Sequence, residues 1–370
     1  MKSGWQIKTL GEVATLQRGF DLPTQNRVVG QFPLVSSSGV IDTHDKCAVR
    51  GPGVVTGRSG SIGNVFFIEE DFWPLNTTLY VKDFHGNDPR FVFHLLRKFD
   101  LRQFAGGVGV PTLNRNSVHG ELVGVPSLPE QQRIVALLDE AFAGIATAKA
   151  NAEKNLQNAH DLLDSRLDEL FLSRDFSRKT LREVSLEFGR GKSKHRPRND
   201  PKLYGGPYPF IQTGDVRGSD QTITEYSQTY SEAGLSQSKL WPKGTLCITI
   251  AANIAETGIL GFDACFPDSV IGVVADPKQT TNTFLEYLLR SVKAQLKAKG
   301  KGSAQDNINL GTFENERFPF PDIKTQNRIC NELDSLASEV RRLESLYTRK
   351  LAALDELKQS LLQQAFSGKL

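Results

Sequence analysis

The chain reads as an α+β protein written twice. Two similar mixed heads are each followed by a long helix, and the two helices form an antiparallel coiled-coil pair in a pseudo-twofold internal repeat. Three observations predict this. A helix start recurs: "SLPEQQRIVALLDEAF" at 127 to 142 and "DIKTQNRICNELDSLA" at 322 to 337 share Gln131/Gln326, Arg133/Arg328, Ile134/Ile329 and Leu138-Asp139/Leu333-Asp334 at an offset of 195. Other landmarks recur with it: "KTLGEV" and "KTLREV", "FPLV" and "YPFI", "RFVFHLLRKF" and "TFLEYLLRSV", "TLN" and "NIN", at offsets from 171 to 195. Finally, each copy changes texture once, from Gly-containing β-branched runs to a long stretch of helical periodicity.

In chain order, residues 1–126 read as head one, 127–172 as helix one, 173–321 as head two and 322–370 as helix two. Head one holds the short strands "GVVTG", "NVFFIEE" and "TTLYVK", then a helix at "RFVFHLLRKF". Head two holds "GTLCITI", "GILGF" and "SVIGVVA", then "TFLEYLLRSV". Period-two runs of this length bounded by turn residues are strands.

The long helices have marked ends. Ser127 with Glu130 fits a capping box, Asp322 holds the equivalent N-cap, and Pro129 sits in the first turn, where its missing N–H costs nothing. Gly368 can end the second helix. Helix one carries an apolar stripe from Ile134 through Leu138, Ile145, Ala152, Leu156, Leu163 and Leu167 to Leu170. Helix two repeats it from Ile329 through Leu333, Val340, Tyr347, Leu351 and Leu362 to Ala365, and only Lys358 breaks it. Such a seam wants a partner helix, and the other copy supplies one. The short joint "SRDFSRK" places head two at the far end of helix one, so the helices run antiparallel; each, at some forty residues, spans roughly 60 Å. The alternative is two independent helices, each packed on its own head.

The bulk chemistry excludes several classes. With 39% apolar and 24% charged residues and no apolar run of bilayer length, the chain reads as globular, with no signal peptide in "MKSGWQIKTLGEV", and cytoplasmic by default. Cys47, Cys247, Cys265 and Cys330 are scattered, so they read as reduced thiols rather than zinc ligands. A net charge of +3 says less about partners than its distribution does. "GRGKS" lacks the leading Gly of a phosphate loop, "GRSGS" misses the nucleophile elbow, and no H-E-x-x-H occurs. No catalytic residues and no metal ligands are expected.

What the heads do offer is recognition chemistry. In head one the candidates are Gln17 and Arg18 in "LQRGF", Ser36, Ser37 and Ser38 in "LVSSSG", Arg58, Ser59 and Ser61 in "GRSGSIGN", and Asn114 in "TLN". In head two they are Arg190, Lys192, Lys194, Arg196 and Arg198 in "RGKSKHRPR", Gln212 and Thr213 in "FIQTG", Asn253, and Lys299, Lys301, Ser303, Gln305 and Asn307 in "KGKGSAQDNIN". Basic side chains neutralise phosphates; Arg suits guanine, and Asn or Gln suits adenine, in the major groove.

These motifs together resemble the specificity subunits of type I restriction–modification systems. "LPEQQRI" and "FPFPDIKTQNRI" at the helix starts carry the resemblance, with "GRSGSIGNV", "GGPYPFIQTGDV", "GVPTLNRNSV" and "GSAQDNINL" in the heads; "DIKTQNRI" departs from it in lacking Pro-Glu. The resemblance covers nearly the whole chain. It implies two target-recognition domains, each reading one half of a bipartite double-stranded DNA site, and helices that set the gap and dock two methylation subunits. It also implies a chain that is not itself an enzyme. S-adenosylmethionine, ATP and Mg would belong to the methylation subunits and the restriction motor subunits. Three other readings stay open: the recognition subunit of a type IIB system, a non-DNA coiled-coil adaptor with two protein-binding heads, and an unrecognised hydrolase.

Overall fold

A computed structural model describes residues 4–107, 111–171, 176–251, 254–300 and 310–370. Two compact units emerge, Met1–Lys154 with Tyr347–Leu370, and Asn155–Leu346. Each therefore combines one head with one end of each long helix.

In the first unit, β1 (Gln6–Thr9) leads into α1 (Leu10–Val13), where the Glu12 carboxylate accepts from the Thr9 amide and hydroxyl at 2.7 and 2.8 Å. β2 (Thr15–Arg18) follows, then the hairpin of β3 (Phe32–Ser36) and β4 (Gly39–His44). Next come β5 (Gly53–Gly57), β6 (Val65–Ile68), β7 (Trp73–Pro74) and β8 (Thr78–Asp83). They build a four-stranded sheet in the order β2-β8-β5-β6 and a three-stranded one in the order β4-β3-β7. α2 (Pro89–Lys98), β9 (Ala105–Gly106), β10 (Thr112–Leu113), α3 (Arg115–His119) and β11 (Leu122–Val125) complete the head, and β11 pairs back onto β1. The chain thus enters and leaves the head at one place, beside the start of α4 (Leu128–Phe171).

The second unit repeats the plan. β12 (Arg178–Lys179) is followed by a turn in which Glu183 accepts from the Thr180 amide at 2.6 Å, the counterpart of the Thr9–Glu12 bond. Then come β13 (Ser185–Arg190), β14 (Tyr204–Phe210), α5 (Thr213–Gly218), β15 (Thr222–Ile223), β16 (Gln228–Tyr230) and α6 (Glu232–Ser236). β17 (Leu246–Thr249), β18 (Thr257–Leu260) and β19 (Val270–Ala275) give a sheet in the order β13-β19-β17-β18-β15. Its first four strands match β2-β8-β5-β6, and β15 is the addition. α7 (Asn282–Gly300), α8 (Leu310–Asn315) and β20 (Phe318–Pro319) lead to α9 (Ile323–Phe366), and β20 closes on β12.

In each unit the head core is continuous with the helix seam. Ile134 and Leu138 of α4 lie buried with Leu362, Ala365 and Phe366 of α9 against Phe91, Leu95 and Leu96 of α2. In the other unit Leu167, Leu170 and Phe171 join Ile329, Leu333 and Val340 against Phe284, Leu285 and Leu288 of α7. The start of one long helix meets the end of the other in both units, which is the antiparallel arrangement. All the predicted stripe positions are buried or half-buried. Asp322 caps α9 by accepting from the Thr325 amide at 2.9 Å, and Gly368 ends it with a φ of +72°. Lys358, the break in the stripe, lays its ammonium over the Phe142 ring at 5.4 Å.

Candidate functional site

The helix start that occurs twice anchors the heads. Gln131 is buried; its Nε2 donates to Asn87 Oδ1 at 2.8 Å and to the Pro126 carbonyl at 3.0 Å, while its Oε1 accepts from the Asp88 amide at 2.9 Å. Gln326 is buried too; its Nε2 donates to the Gln279 and Pro321 carbonyls, both at 2.9 Å, and its Oε1 accepts from the Thr280 hydroxyl at 2.8 Å. Each carboxamide thus clamps the turn before α2 or α7 to the start of a long helix. About two helical turns on, Asp139 accepts from His94 Nε2 at 3.0 Å and from Arg90 at 3.2 Å, and Asp334 accepts from the Tyr287 hydroxyl at 2.6 Å. The sheet edges and loops that hold the candidate recognition residues take no part in this clamp.

In head one those loops form an open cleft of about 1290 Å³. Its lining includes Gln17 and Arg18 from β2, Arg58 after β5, Gln103 and Phe104, and Asn114, Arg115 and Ser117 at the start of α3, with no carboxylate among them. Arg18 also reaches Asp21 at 3.0 Å, and Arg58 donates to the Asn76 carbonyl at 3.4 Å. The Arg58 backbone is fixed from two sides, its amide on the Thr77 carbonyl and its carbonyl on the Leu113 amide, both at 2.8 Å. Gly57 has to be glycine, since a Cβ there would fall 2.1 Å from the Ser61 carbonyl. Asn114 caps α3 through the Asn116 amide at 3.0 Å. His119 at the far end of α3 accepts the Leu16 amide of β2 at 2.8 Å. Burial, aided by the Arg115 charge, pulls the His119 pKa below its ordinary value, which keeps the ring neutral.

The other expected head-one residues divide. Ser36 is buried and its hydroxyl faces the Ser38 hydroxyl at 2.8 Å and the Gly39 carbonyl at 3.2 Å, so it shapes the β3–β4 turn rather than facing outward. Ser38 and Ser61 are exposed; Ser37 and Ser59 are half-buried, Ser59 bridging to Thr112 of β10. Arg115, Gln103 and Ser117 are the residues that sequence reasoning missed. A capping Asn immediately before "RNS" could have flagged Arg115 and Ser117, because side chains of a first helical turn beside a cap stand clear of the body of the helix.

Head two presents its basic run at the end of β13. Arg190, Lys192 and Lys194 are exposed, and among the described residues none of them has a carboxylate partner. Arg198 instead meets Asp268 through two bonds of 3.0 Å, and Arg196 donates to the Ser193 and His195 carbonyls at 2.8 Å. Two of the five expected phosphate contacts are therefore engaged within the head. Gln212 stands before α5 and donates to Gln228 Oε1 at 2.7 Å, with Thr213 half-buried beside it. Asn253, Lys301, Ser303, Gln305 and Asn307, and the side chain of Lys299, lie outside the described residues. Among the described residues no group of three His, Cys, Asp or Glu could hold a metal, and no helix is long and apolar enough to cross a membrane. Burial raises the Cys247 and Cys330 thiols well above their ordinary range, Cys330 to about 11, and so keeps them protonated.

Residues 2–157 and 175–347 each match the type I restriction modification DNA specificity domain. The EcoBI specificity subunit of Escherichia coli is 22% identical over 322 residues, covering 76% of this chain and 65% of its own length. The EcoKI specificity subunit of Escherichia coli strain K12 is 20% identical over 307 residues, covering 78% and 66%. The chain thus spans just under two thirds of the length of these relatives. A chain from a structure of complex assembly and conformational transition in a type I R-M system superposes with a TM-score of 0.82 at 20% identity, over 100% of this chain and 99% of that one. The HsdS subunit from Thermoanaerobacter tengcongensis superposes at 0.64 and 20% identity, over 100% and 98%.

Proposed function

This chain belongs to the type I restriction modification DNA specificity family, and from that premise we propose that it reads a bipartite double-stranded DNA site, one half-site per head, without chemistry of its own. The observation that carries the proposal is the head-one cleft. Three arginines (Arg18, which also meets Asp21, with Arg58 and Arg115) and five amide or hydroxyl side chains (Gln17, Gln103, Thr112, Asn114 and Ser117) line it, and among the described residues no carboxylate does. Guanidinium groups held this way meet phosphates or guanine edges, and amides meet adenine. Arg190, Lys192 and Lys194 are the matching basic contacts on head two. Two heads on one chain suit a duplex, whose own twofold symmetry lets similar modules bind separated half-sites.

Partner chains supply the catalysis: two methylation subunits with S-adenosylmethionine, and motor subunits with ATP and Mg. Leu162 and Leu357, 195 positions apart, are 56% and 46% exposed on the long helices.

The test is methylome sequencing of a host carrying the chain with its partner subunits. Replacing residues 1–126 by another head should change one half-site and leave the other. A change in both, or in neither, rejects the modular reading. In binding assays, Arg58→Gln with Arg115→Gln should reduce the slope of log affinity against log salt by about 2.

A further inference from the structure

Two separated pieces of chain contribute to the lining of the head-one cleft. β2 carries Gln17 and Arg18, and α3 carries Arg115 and Ser117 behind the Asn114 cap. One side chain joins these two pieces. His119 Nε2 accepts the Leu16 amide hydrogen at 2.8 Å, so the ring carries its proton on Nδ1. An imidazolium has N–H at both positions and cannot accept. Gly11 of α1 lets that helix pack close to the base of the His119 side chain, since a Cβ there would come 3.2 Å from His119 Cβ.

We propose that His119 is a positioning residue for half-site recognition by head one, and that its protonation releases α3 from β2 and weakens DNA binding. The proposal rests on the reading of the cleft as a DNA contact. Charged groups on the elements around α3 have other partners: Glu12 of α1 holds Thr9, Arg18 of β2 meets Asp21, and Arg102 in the turn at Leu101–Phe104 meets Asp100. Arg115, on the same helix, adds repulsion against a charged ring, in the same direction as burial. The sign of the effect is diagnostic. Acidification adds positive charge to the protein, which by itself would tighten DNA binding; loss of the Leu16 bond loosens it.

The experiment uses the intact chain and a fluorescent duplex recovered from a randomised pool by binding at pH 8. Affinity is followed from pH 8 to pH 5.5 at fixed ionic strength. By pH 5.5 wild type should weaken severalfold but by less than tenfold, because a ring held below its ordinary pKa is only partly protonated there. His119→Gln, whose carboxamide oxygen reaches towards the same amide and does not titrate, should keep its pH 8 affinity throughout. His119→Leu should start weakened and stay so. A wild-type affinity that holds or rises on acidification overturns the proposal, as does a His119→Gln profile parallel to wild type. Should His119→Gln fail to fold, as read by its thermal melt, the wild-type and His119→Leu profiles decide alone. Arg58→Gln and Arg115→Gln on the same duplex separate the two levels. If they leave affinity unchanged, the cleft reading fails; if they weaken it while His119→Gln tracks wild type, only the positioning role fails.

Discussion

The two junctions between head and long helix agree where they are buried and disagree where they are wet. Gln131 and Gln326 sit 195 positions apart, are 2% and 0% exposed, and make three bonds each to the same pair of flanking turns. The exposed helix-to-helix pairs are different. Lys149 of α4 meets Asp355 of α9 at 2.9 Å in one unit, and the positions related by 195 hold Glu344 and His160, which also pair, with the carboxylate now at the position equivalent to Lys149. Arg166–Glu332 in one unit corresponds to Leu361 and Leu137 in the other. Phe142, under Lys358 and Arg97, corresponds to Ala337, which with Leu163 and Arg290 borders a cavity of about 330 Å³. The lesson is energetic. A buried amide left unpaired costs about 1–3 kcal/mol per group, whereas an exposed ion pair contributes about 0–1 kcal/mol. The first tolerates almost no drift between copies; the second can invert.

The largest expected effect follows directly. Gln131→Leu and Gln326→Leu should each destabilise by about 3 kcal/mol in urea unfolding, since each strands several buried groups at once. A loss below about 1 kcal/mol at either would break the equivalence, showing that water replaces the carboxamide at that junction.

The next effect sharpens a contrast in pH. Burial pulls the buried His94 below its ordinary value despite the Asp139 carboxylate beside it. A group whose folded pKa is depressed contributes stability that is complete above its unfolded value, about 6.5, and is lost as pH falls through the folded value. Its counterpart Tyr287 is pushed up by burial and by Asp334, so its contribution is complete below about 10 and is lost only in alkali. Hydrogen exchange from pH 8 to pH 5 should therefore show α2 loosening in acid before α7 does. His94→Gln should remove that difference. Tyr287→Phe should cost about 1 kcal/mol at every pH in this range. Equal acid sensitivity of α2 and α7 in wild type would remove His94 from the account.

The smallest effect concerns the inverted pairs. Lys149→Glu or Asp355→Lys alone should cost under about 1 kcal/mol, and the double exchange should recover most of it. A thermal-melt cycle on the four proteins measures this. A coupling well above that size would make the ion pair a specifier of helix pairing rather than a surface decoration.

Much of the fold was legible because it is periodic or repeated. The duplication, both seams, the Asp322 cap and the Gly368 stop depend on residues within a turn or two of each other, or on one matching offset. The head-one cleft was only half legible. Gln17, Arg18, Arg58 and Asn114 stood out as polar loop residues, but their convergence depends on β2, the segment after β5 and α3 meeting across about a hundred residues of chain. Arg198 could not be set apart from Lys194 by reading "RGKSKHRPR", because Asp268, which neutralises it, lies 70 positions away.

By itself, then, the sequence determined the α+β class, the twofold repetition and the antiparallel helix pair, because apolar periodicity and capping are local and additive along the chain. Only the tertiary structure decided which basic side chains stay available to a polyanion, that His119 joins β2 to α3, and that Gln131 and Gln326 clamp head to helix. Those depend on hydrogen-bond partners brought together from distant segments, and hydrogen bonding is set by distance and direction in space rather than by spacing in sequence.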